Sequence, residues 1–348
     1  MDYKKILIIG TGIKEIPPIG YGGIERYIHE LAEVLKLRGM NVSIMNKVIA
    51  RFPDMLKHVI FALYVIKNHR ALKNTVIHAN TPLPAICAWV LGHRYIYTTH
   101  SRYWFNCPSV TKKILHVTDI LAVAMSTITI APSQRLLLML DSKAYKPQRV
   151  VFIPPGIHVP NELPPPESRK NLIIGFGAVI NAKRFDILAE ATKDAKSEIV
   201  IIGPIMDVNL KNNLLKINPR LQFLGELSDE LIDDILTKAK VMVHEADTEL
   251  LPVTPLRAMG HGVPVIGSSE ISDIVRDGQD GFIVNSELEF FERVNLTSKY
   301  LRILLDNDVL WQRFSKASFV EMNTKFSWER VGERVQDVYT SFEKMQRG

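Results

Sequence analysis

With 348 residues the chain has room for two domains, and 47% hydrophobic with 23% charged residues is a globular composition that excludes a disordered chain. Two cysteines, Cys87 and Cys107, can build neither a disulfide framework nor a four-thiolate zinc site, which points to a reducing compartment. The net charge of +6 conceals an asymmetry: residues 1–160 carry 20 Lys+Arg against 8 Asp+Glu, and residues 161–348 carry 23 against 29. The first half is therefore expected to face something anionic, whether nucleic acid, a phosphate-bearing substrate or a membrane surface.

The chain opens with MDYKKILIIGTG, whose five-residue apolar run is too short for a signal peptide. No run approaches the ~20 apolar residues of a membrane span, so a cytoplasmic protein is expected. Lys5–Gly10 reads as a buried parallel strand, short, β-branched and ended by glycine. The helical pattern Gly22–Arg38 follows, with Ile24, Tyr27, Ile28, Leu31, Val34 and Leu35 on one face and Gly39 as its stop. Asn41–Met45 is the next strand. Met55–Lys73 places Lys57, Lys67, Arg70 and Lys73 around an apolar middle. Such a basic amphipathic helix could lie on an anionic membrane, although Val59–Ile66 is apolar right round a helix, which favours a core helix with a charged end. Further strands are expected at Thr75–His78, Tyr95–Thr99, Thr127–Ile130 and Arg149–Ile153.

Pro154–Ser168 holds six prolines in fifteen residues and reads as a stiff extended linker between a domain at 1–160 and one at 161–328. The second domain restarts with strand Asn171–Gly177, helix Arg184–Lys193 and strand Glu198–Gly203, followed by strands at Gln222–Gly225, Val241–His244 and Pro264–Gly267. Strands alternating with helices in both halves predict two open parallel α/β sheets. Ligands of such sheets sit beyond the carboxyl ends of the strands.

The glycine loops exclude several chemistries. A dinucleotide fingerprint needs G-x-G-x-x-G, and both Gly10-Thr11-Gly12-Ile13-Lys14-Glu15 and Gly175-Phe176-Gly177 with the three residues after it lack the third glycine. There is no G-x-x-x-x-G-K-[ST] loop, no G-x-S-x-G elbow and no Cys/His cluster at metal-ligand spacing. What remains is Pro17–Glu25 (PPIGYGGIE), whose glycines precede a helix N-terminus and suit either an anion or a simple turn.

That segment with Arg26–Arg38, then Val76-Ile77-His78-Ala79-Asn80 and Thr98-Thr99-His100, resembles the opening of the retaining GT-B glycosyltransferases of family 4. Gly177 through Lys183 with Phe185-Asp186 is similar to that family's G-R-x-x-x-x-K-G-x-D segment, and Phe223–Asp229 to the strand and turn before its donor site. Glu249–Ser268 resembles its E-x7-E stretch running into E-A-M-A-x-G-x-P-V-I, and Asp280–Val284 and Phe326-Ser327-Trp328 fit as well. The resemblance implies two Rossmann-like domains with parallel sheets facing across a cleft, and a final helix, 329–348, that joins the first. It implies transfer of a sugar from a nucleotide diphosphate sugar with retention, with no metal and no cofactor beyond that donor. The second domain would hold the donor, and the first a glycan, glycolipid or glycoprotein acceptor.

The resemblance gives roles to single residues. Lys183 falls on the phosphate-binding lysine, whose ammonium answers charge on a departing diphosphate. Glu249 falls on the glutamate that accepts from donor-sugar hydroxyls, and Thr254, Pro255 and Leu256 lie in the same donor segment. His100 falls on a histidine beside the reacting centre, and Gly22, Gly23 and Gly177 on loops near the phosphates; His78 reads as a satisfied core histidine. Two positions depart from the pattern. Ala178 stands where it has arginine, and Arg257 stands where E-x7-E has its second glutamate, so Arg257 is expected either to bind the diphosphate or to turn away towards Glu249 or Glu245. The family's G-F-G is here Leu250-Leu251-Pro252. Two rivals share the fold: a nucleotide-sugar 2-epimerase, and a degenerate member that only binds nucleotide or glycan. Nucleic acid is the weaker partner, because the basic residues are scattered with no aromatic interleaving.

Overall fold

The computed structural model describes residues 5–18, 22–100, 110–142, 148–249 and 252–347. The chain divides into two units, residues 1–156 with 328–348 and residues 157–327.

In the first unit six parallel strands run in the order β2-β1-β3-β4-β5-β6, namely β1 (Lys5–Ile9), β2 (Val42–Met45), β3 (Thr75–Ala79), β4 (Ile96–Thr98), β5 (Ile128–Ala131) and β6 (Val150–Phe152). The two-residue period of a strand sends alternate side chains of β1 to opposite faces. Ile6 and Ile8 pack with Tyr27, Ile28 and Leu31 of α1 (Gly23–Leu37), and with Val331, Val335 and Phe342 of α12 (Trp328–Arg347). Each such buried side chain contributes about 1.5–3 kcal/mol, which is what returns the C-terminal helix to this unit. Leu7 and Ile9 face a second core shared with α2 (Asp54–Lys67), α3 (Pro82–Val90), α4 (Val110–Met125) and α5 (Gln134–Ser142).

The basic segment differs from a single buried helix over Met55–Lys73. The α2 helix stops at Lys67, Asn68 Nδ2 donates back to the Tyr64 carbonyl at 2.7 Å, and a 3₁₀ turn follows at His69–Leu72. Phe61 and Val65 are buried, but Leu63 is 58% exposed, so only one side of the apolar cylinder is covered.

The second unit repeats the plan with strand order β12-β11-β10-β7-β8-β9: β7 (Leu172–Phe176), β8 (Glu198–Ile202), β9 (Leu221–Gly225), β10 (Val241–His244), β11 (Val265–Ser268) and β12 (Gly281–Val284). All neighbouring pairs are parallel. Ile174 packs with Ile232 and Leu236 of α8 (Asp229–Lys238) and with Leu256 and Met259 of α9 (Val253–Gly260). On the other face Ile173 meets Leu188 of α6 (Phe185–Ala191), Leu214 of α7 (Val208–Ile217), Leu301 of α10 (Phe290–Asp306) and Phe314 of α11 (Asp308–Glu321). Helix α6 begins at Phe185 rather than Arg184, because Arg184 has a left-handed backbone (φ 48°).

Each sheet has one place where the strand order reverses, between β1 and β3 in the first unit and between β7 and β10 in the second. Open α/β sheets bind ligands beyond the carboxyl ends of the strands at such a point.

Candidate functional site

Lys183 and Glu249 flank the reversal in the second unit. Lys183 ends the 3₁₀ turn Asn181–Lys183 after β7, and Glu249 follows β10 by five residues. Lys183 Nζ donates to Glu249 Oε2 at 2.5 Å, with the two side chains only 19% and 10% exposed. His244, the last residue of β10, donates Nε2–H to the same oxygen at 3.0 Å. Burial alone would raise the Glu249 carboxyl, but the Lys183 ammonium and the His244 hydrogen bond hold it down to about 2. Burial lowers His244 in turn, so it meets Glu249 as a neutral N–H donor. An ionised carboxylate and an ammonium thus stand side by side, the one an acceptor for hydroxyl donors and the other a donor to anionic oxygens.

Glycines shape the turns beside this pair. Gly177 (φ 152°) follows β7, and a Cβ there would lie 3.4 Å from Lys183 Cε. Gly203 (φ 135°) follows β8, and a Cβ there would lie 2.2 Å from the Gly177 carbonyl oxygen, which no side chain can occupy. Arg184 has a left-handed backbone conformation. It bonds Asp186 at 3.1 Å and Asp247 at 3.0 Å, which offsets a cost of order 1 kcal/mol for that backbone.

Behind the pair lies a buried network absent from the sequence reading. Arg293 of α10, 1% exposed, donates to Glu245 Oε2 at 3.0 Å and to Asp247 Oδ1 at 2.8 Å, and Thr297 bonds Glu245 Oε1. Burial lifts Glu245 to about 7 even with the Arg293 guanidinium against it. These bonds anchor residues 245–247, just before Glu249, to helix α10. His244 is likewise not among the residues the resemblance marks; its own signal is a histidine ending the apolar strand Val241–His244.

Two donor-segment residues are engaged elsewhere than expected. Arg257 turns neither to Glu249 nor to Glu245. It spans to α8, with Nη1 on Asp229 Oδ1 at 2.6 Å, Nη2 on Asp233 Oδ1 at 2.7 Å and Nε on the same oxygen at 2.9 Å. Most of its fork is thereby occupied, so it is not held out for a diphosphate. Leu256 is fully buried in the core and its N–H bonds the Pro252 carbonyl at 3.1 Å, which leaves no group for a donor. Pro255 is buried and has no N–H, while Thr254 is partly exposed in the first turn of α9. Ala178 is partly exposed beside Gly177. Leu250 and Leu251 lie outside the described residues.

In the first unit His100 follows β4 and is 6% exposed. Asn80 Nδ2 donates to the Ile9 carbonyl at 3.3 Å, which turns its Oδ1 towards His100 Nε2 at 2.9 Å. The His100 proton therefore sits on Nε2. Nδ1 is a bare acceptor with no partner among the described residues. Burial lowers His100 to about 3, so it stays neutral. His78 is a satisfied core histidine, bonded to Tyr339 and Thr98 at 2.8 and 2.6 Å. Gly22 precedes α1 and Gly23 opens it, with Glu25 accepting from Thr11 Oγ1 at 2.6 Å. Ile19, Gly20 and Tyr21 of that loop lie outside the described residues. His100 and Lys183 belong to different units.

Residues 170–297 match the family model described as Glycosyl transferases group 1, and residues 21–159 match Glycosyltransferase Family 4. The chain carries two glycosyltransferase domains. Among curated proteins it is similar to the phosphatidylinositol N-acetylglucosaminyltransferase gpi3 subunit of Schizosaccharomyces pombe, 22% identical over 289 residues, 76% of this chain. The matched part spans 61% of that relative's length. Among solved structures it is similar to a sucrose-phosphate synthase from Thermosynechococcus elongatus, with a TM-score of 0.82 at 16% identity, covering 98% of this chain and 100% of that one. It is also similar to Anabaena HepE in complex with UDP and glucose, with a TM-score of 0.73 at 16% identity, covering 97% and 100%. These likenesses establish the fold, a pair of parallel six-stranded α/β sheets of the GT-B class.

Proposed function

We propose that the protein is a retaining glycosyltransferase that moves a sugar from a nucleotide diphosphate donor to a glycan, glycolipid or glycoprotein acceptor. The observation that carries this is the Lys183–Glu249 pair, 2.5 Å apart at the strand-order reversal of the second sheet. Glu249, ionised and steadied by His244, accepts from donor-sugar hydroxyls and orients the ring. Lys183 exchanges its carboxylate for the diphosphate and stabilises the charge that develops as the C1–O bond breaks, in place of a metal. The bonding pair leaves with the diphosphate, the acceptor oxygen bonds C1 on the face the diphosphate leaves, and the acceptor proton passes to the departing phosphate oxygen. In the first unit, neutral His100 offers its Nδ1 lone pair to a sugar hydroxyl.

The excess of Lys and Arg in residues 1–160 favours an anionic or lipid-linked acceptor, and the name of the gpi3 relative points to the same class. The test is nucleoside diphosphate release from a panel of nucleotide sugars with glycan and glycolipid acceptors, with the product anomer read by NMR. Product of unchanged anomeric configuration supports transfer with retention, and an inverted product rejects it. Binding without release would assign the chain instead to nucleotide or glycan binding, a reading favoured by one observation, the commitment of Arg257 to Asp229 and Asp233 where the family pattern has a carboxylate.

A further inference from the structure

The layer formed by α2, α3 and α4 is apolar on both sides. Inward, Phe61, Val65, Ala88 and Ala122 pack on the sheet. Outward, Leu56, Val59, Leu63 and Ile66 recur along α2 at helical spacing and are 39–58% exposed. On α4, Ile114, Val117 and Leu121 follow the same three-and-four spacing and are 41–53% exposed. Helix α3 packs against both and adds Trp89, 49% exposed. A surface helix ordinarily buries one apolar stripe and turns polar residues to water. These helices bury one stripe and expose another, and exposed apolar surface gathered in this way marks an interaction site.

Charge identifies the partner. Residues 55–140 contain nine Lys and Arg but a single acid, Asp119. Asp119 is 2% exposed and bonded to Tyr97 and Thr99, so no described acidic side chain lies on the outward face. The basic side chains lie where the apolar stripes end. Lys67 is one helical turn beyond Leu63, Arg70 and Lys73 follow at the same end, and Lys113 is one turn before Val117; all four are exposed. We propose that this face seats the protein on an anionic lipid bilayer, with the apolar side chains at the acyl boundary and the basic heads among the lipid phosphates. The helices lie in the interface rather than cross it: among the described residues no helix is long and apolar enough to span a membrane. The proposal rests on surface composition and is independent of the glycosyl-transfer reading.

Flotation of the full chain with vesicles of phosphatidylcholine, alone or mixed with phosphatidylglycerol, tests it. Recovery is expected with the anionic vesicles at low salt, falling as salt rises. The double variant Leu63→Glu/Val117→Glu should abolish recovery, and Leu37→Glu on α1, 88% exposed, should leave it unchanged. Lys67→Ala with Arg70→Ala should weaken partition about 25-fold, a factor of roughly five for each charge near the surface. All five positions are exposed, so thermal melts should match wild type. Equal recovery with neutral and anionic vesicles, or wild-type recovery of Leu63→Glu/Val117→Glu, would overturn the proposal. Self-association in solution that the same double variant abolishes would also overturn it, by assigning the face to a second copy. Nucleoside diphosphate release from soluble donors does not enter this readout, so either proposal can fail alone.

Discussion

Replacing Lys183 by methionine keeps the length of the side chain and removes its charge. Glu249 is then left 10% exposed, with the His244 N–H still donating to it. Removing one partner of a buried pair costs ~3–5 kcal/mol, and the residual exposure and the surviving hydrogen bond argue for the lower end. A second route gives a similar size. Glu249 is held at about 2, against an ordinary value of ~4.3, and at ~1.4 kcal/mol per pH unit that depression is worth about 3 kcal/mol. Because the folded-state value lies below the unfolded one, this stability is present above pH ~4.3 and is lost as the pH falls towards 2. Urea unfolding of wild type, Lys183→Met, Glu249→Gln and the double variant at neutral and acid pH measures it. Lys183→Met should be about 3 kcal/mol less stable at pH 7, with the gap closing at acid pH. The double variant should recover most of the loss, because the buried carboxylate that lost its ammonium is gone. Turnover should stay at least 100-fold down in all three, since stability and phosphate binding are separate tasks of the same ammonium. A Lys183→Met protein as stable as wild type at pH 7, or a double variant no better than the single, would refute the reasoning.

Other outcomes follow from the same geometry. Arg257→Ala should leave nucleotide affinity within about threefold by titration calorimetry, a tenfold change being 1.4 kcal/mol, because its guanidinium serves Asp229 and Asp233. Arg257→Glu should instead destabilise the fold by ~1–2 kcal/mol in denaturant melts, by placing a third carboxylate beside those two. Gly203→Ala should lower stability by ~2–4 kcal/mol and reduce donor binding with it, since its Cβ would meet the Gly177 carbonyl at 2.2 Å. Burial holds His78 at about 3, below its ordinary value of ~6.5, so the unfolded chain takes up a proton that the folded one refuses. Stability should therefore fall as the pH drops below 6.5, and His78→Gln should flatten that fall by ~1.4 kcal/mol per pH unit in melts between pH 6 and 4.

Legibility in the sequence followed the range of the interactions. The β-branched runs Lys5–Ile9, Glu198–Ile202 and Val241–His244 declare themselves because a parallel strand buried on both faces needs nothing else. Strand Gly281–Val284 was not read as a strand: it is four residues long, opens on glycine and follows a turn rich in Asp and Gly. Lys183, Glu249 and Gly177 stood out through the family resemblance, because the turn after β7 and the loop after β10 are local and a motif's spacing survives in one dimension. Their meeting at 2.5 Å was not, nor was the bond from Arg293 to Glu245, 48 positions apart. Arg257 shows the same limit. Its partners Asp229 and Asp233 are 28 and 24 positions upstream, so proximity in sequence suggested Glu249 and Glu245 instead. The α2 helix erred the other way: an apolar circumference implied a buried cylinder, whereas the sheet covers one side of it alone.

Initial rates of nucleoside diphosphate release, for wild type and Lys183→Met side by side over a panel of nucleotide sugars, test most directly whether the Lys183–Glu249 site transfers sugar. Wild type should release diphosphate from at least one donor in an acceptor-dependent manner, and Lys183→Met should do so at least 100-fold more slowly. Release at the same rate by both proteins would contradict the site, and tight donor binding with no release by either would contradict the transfer.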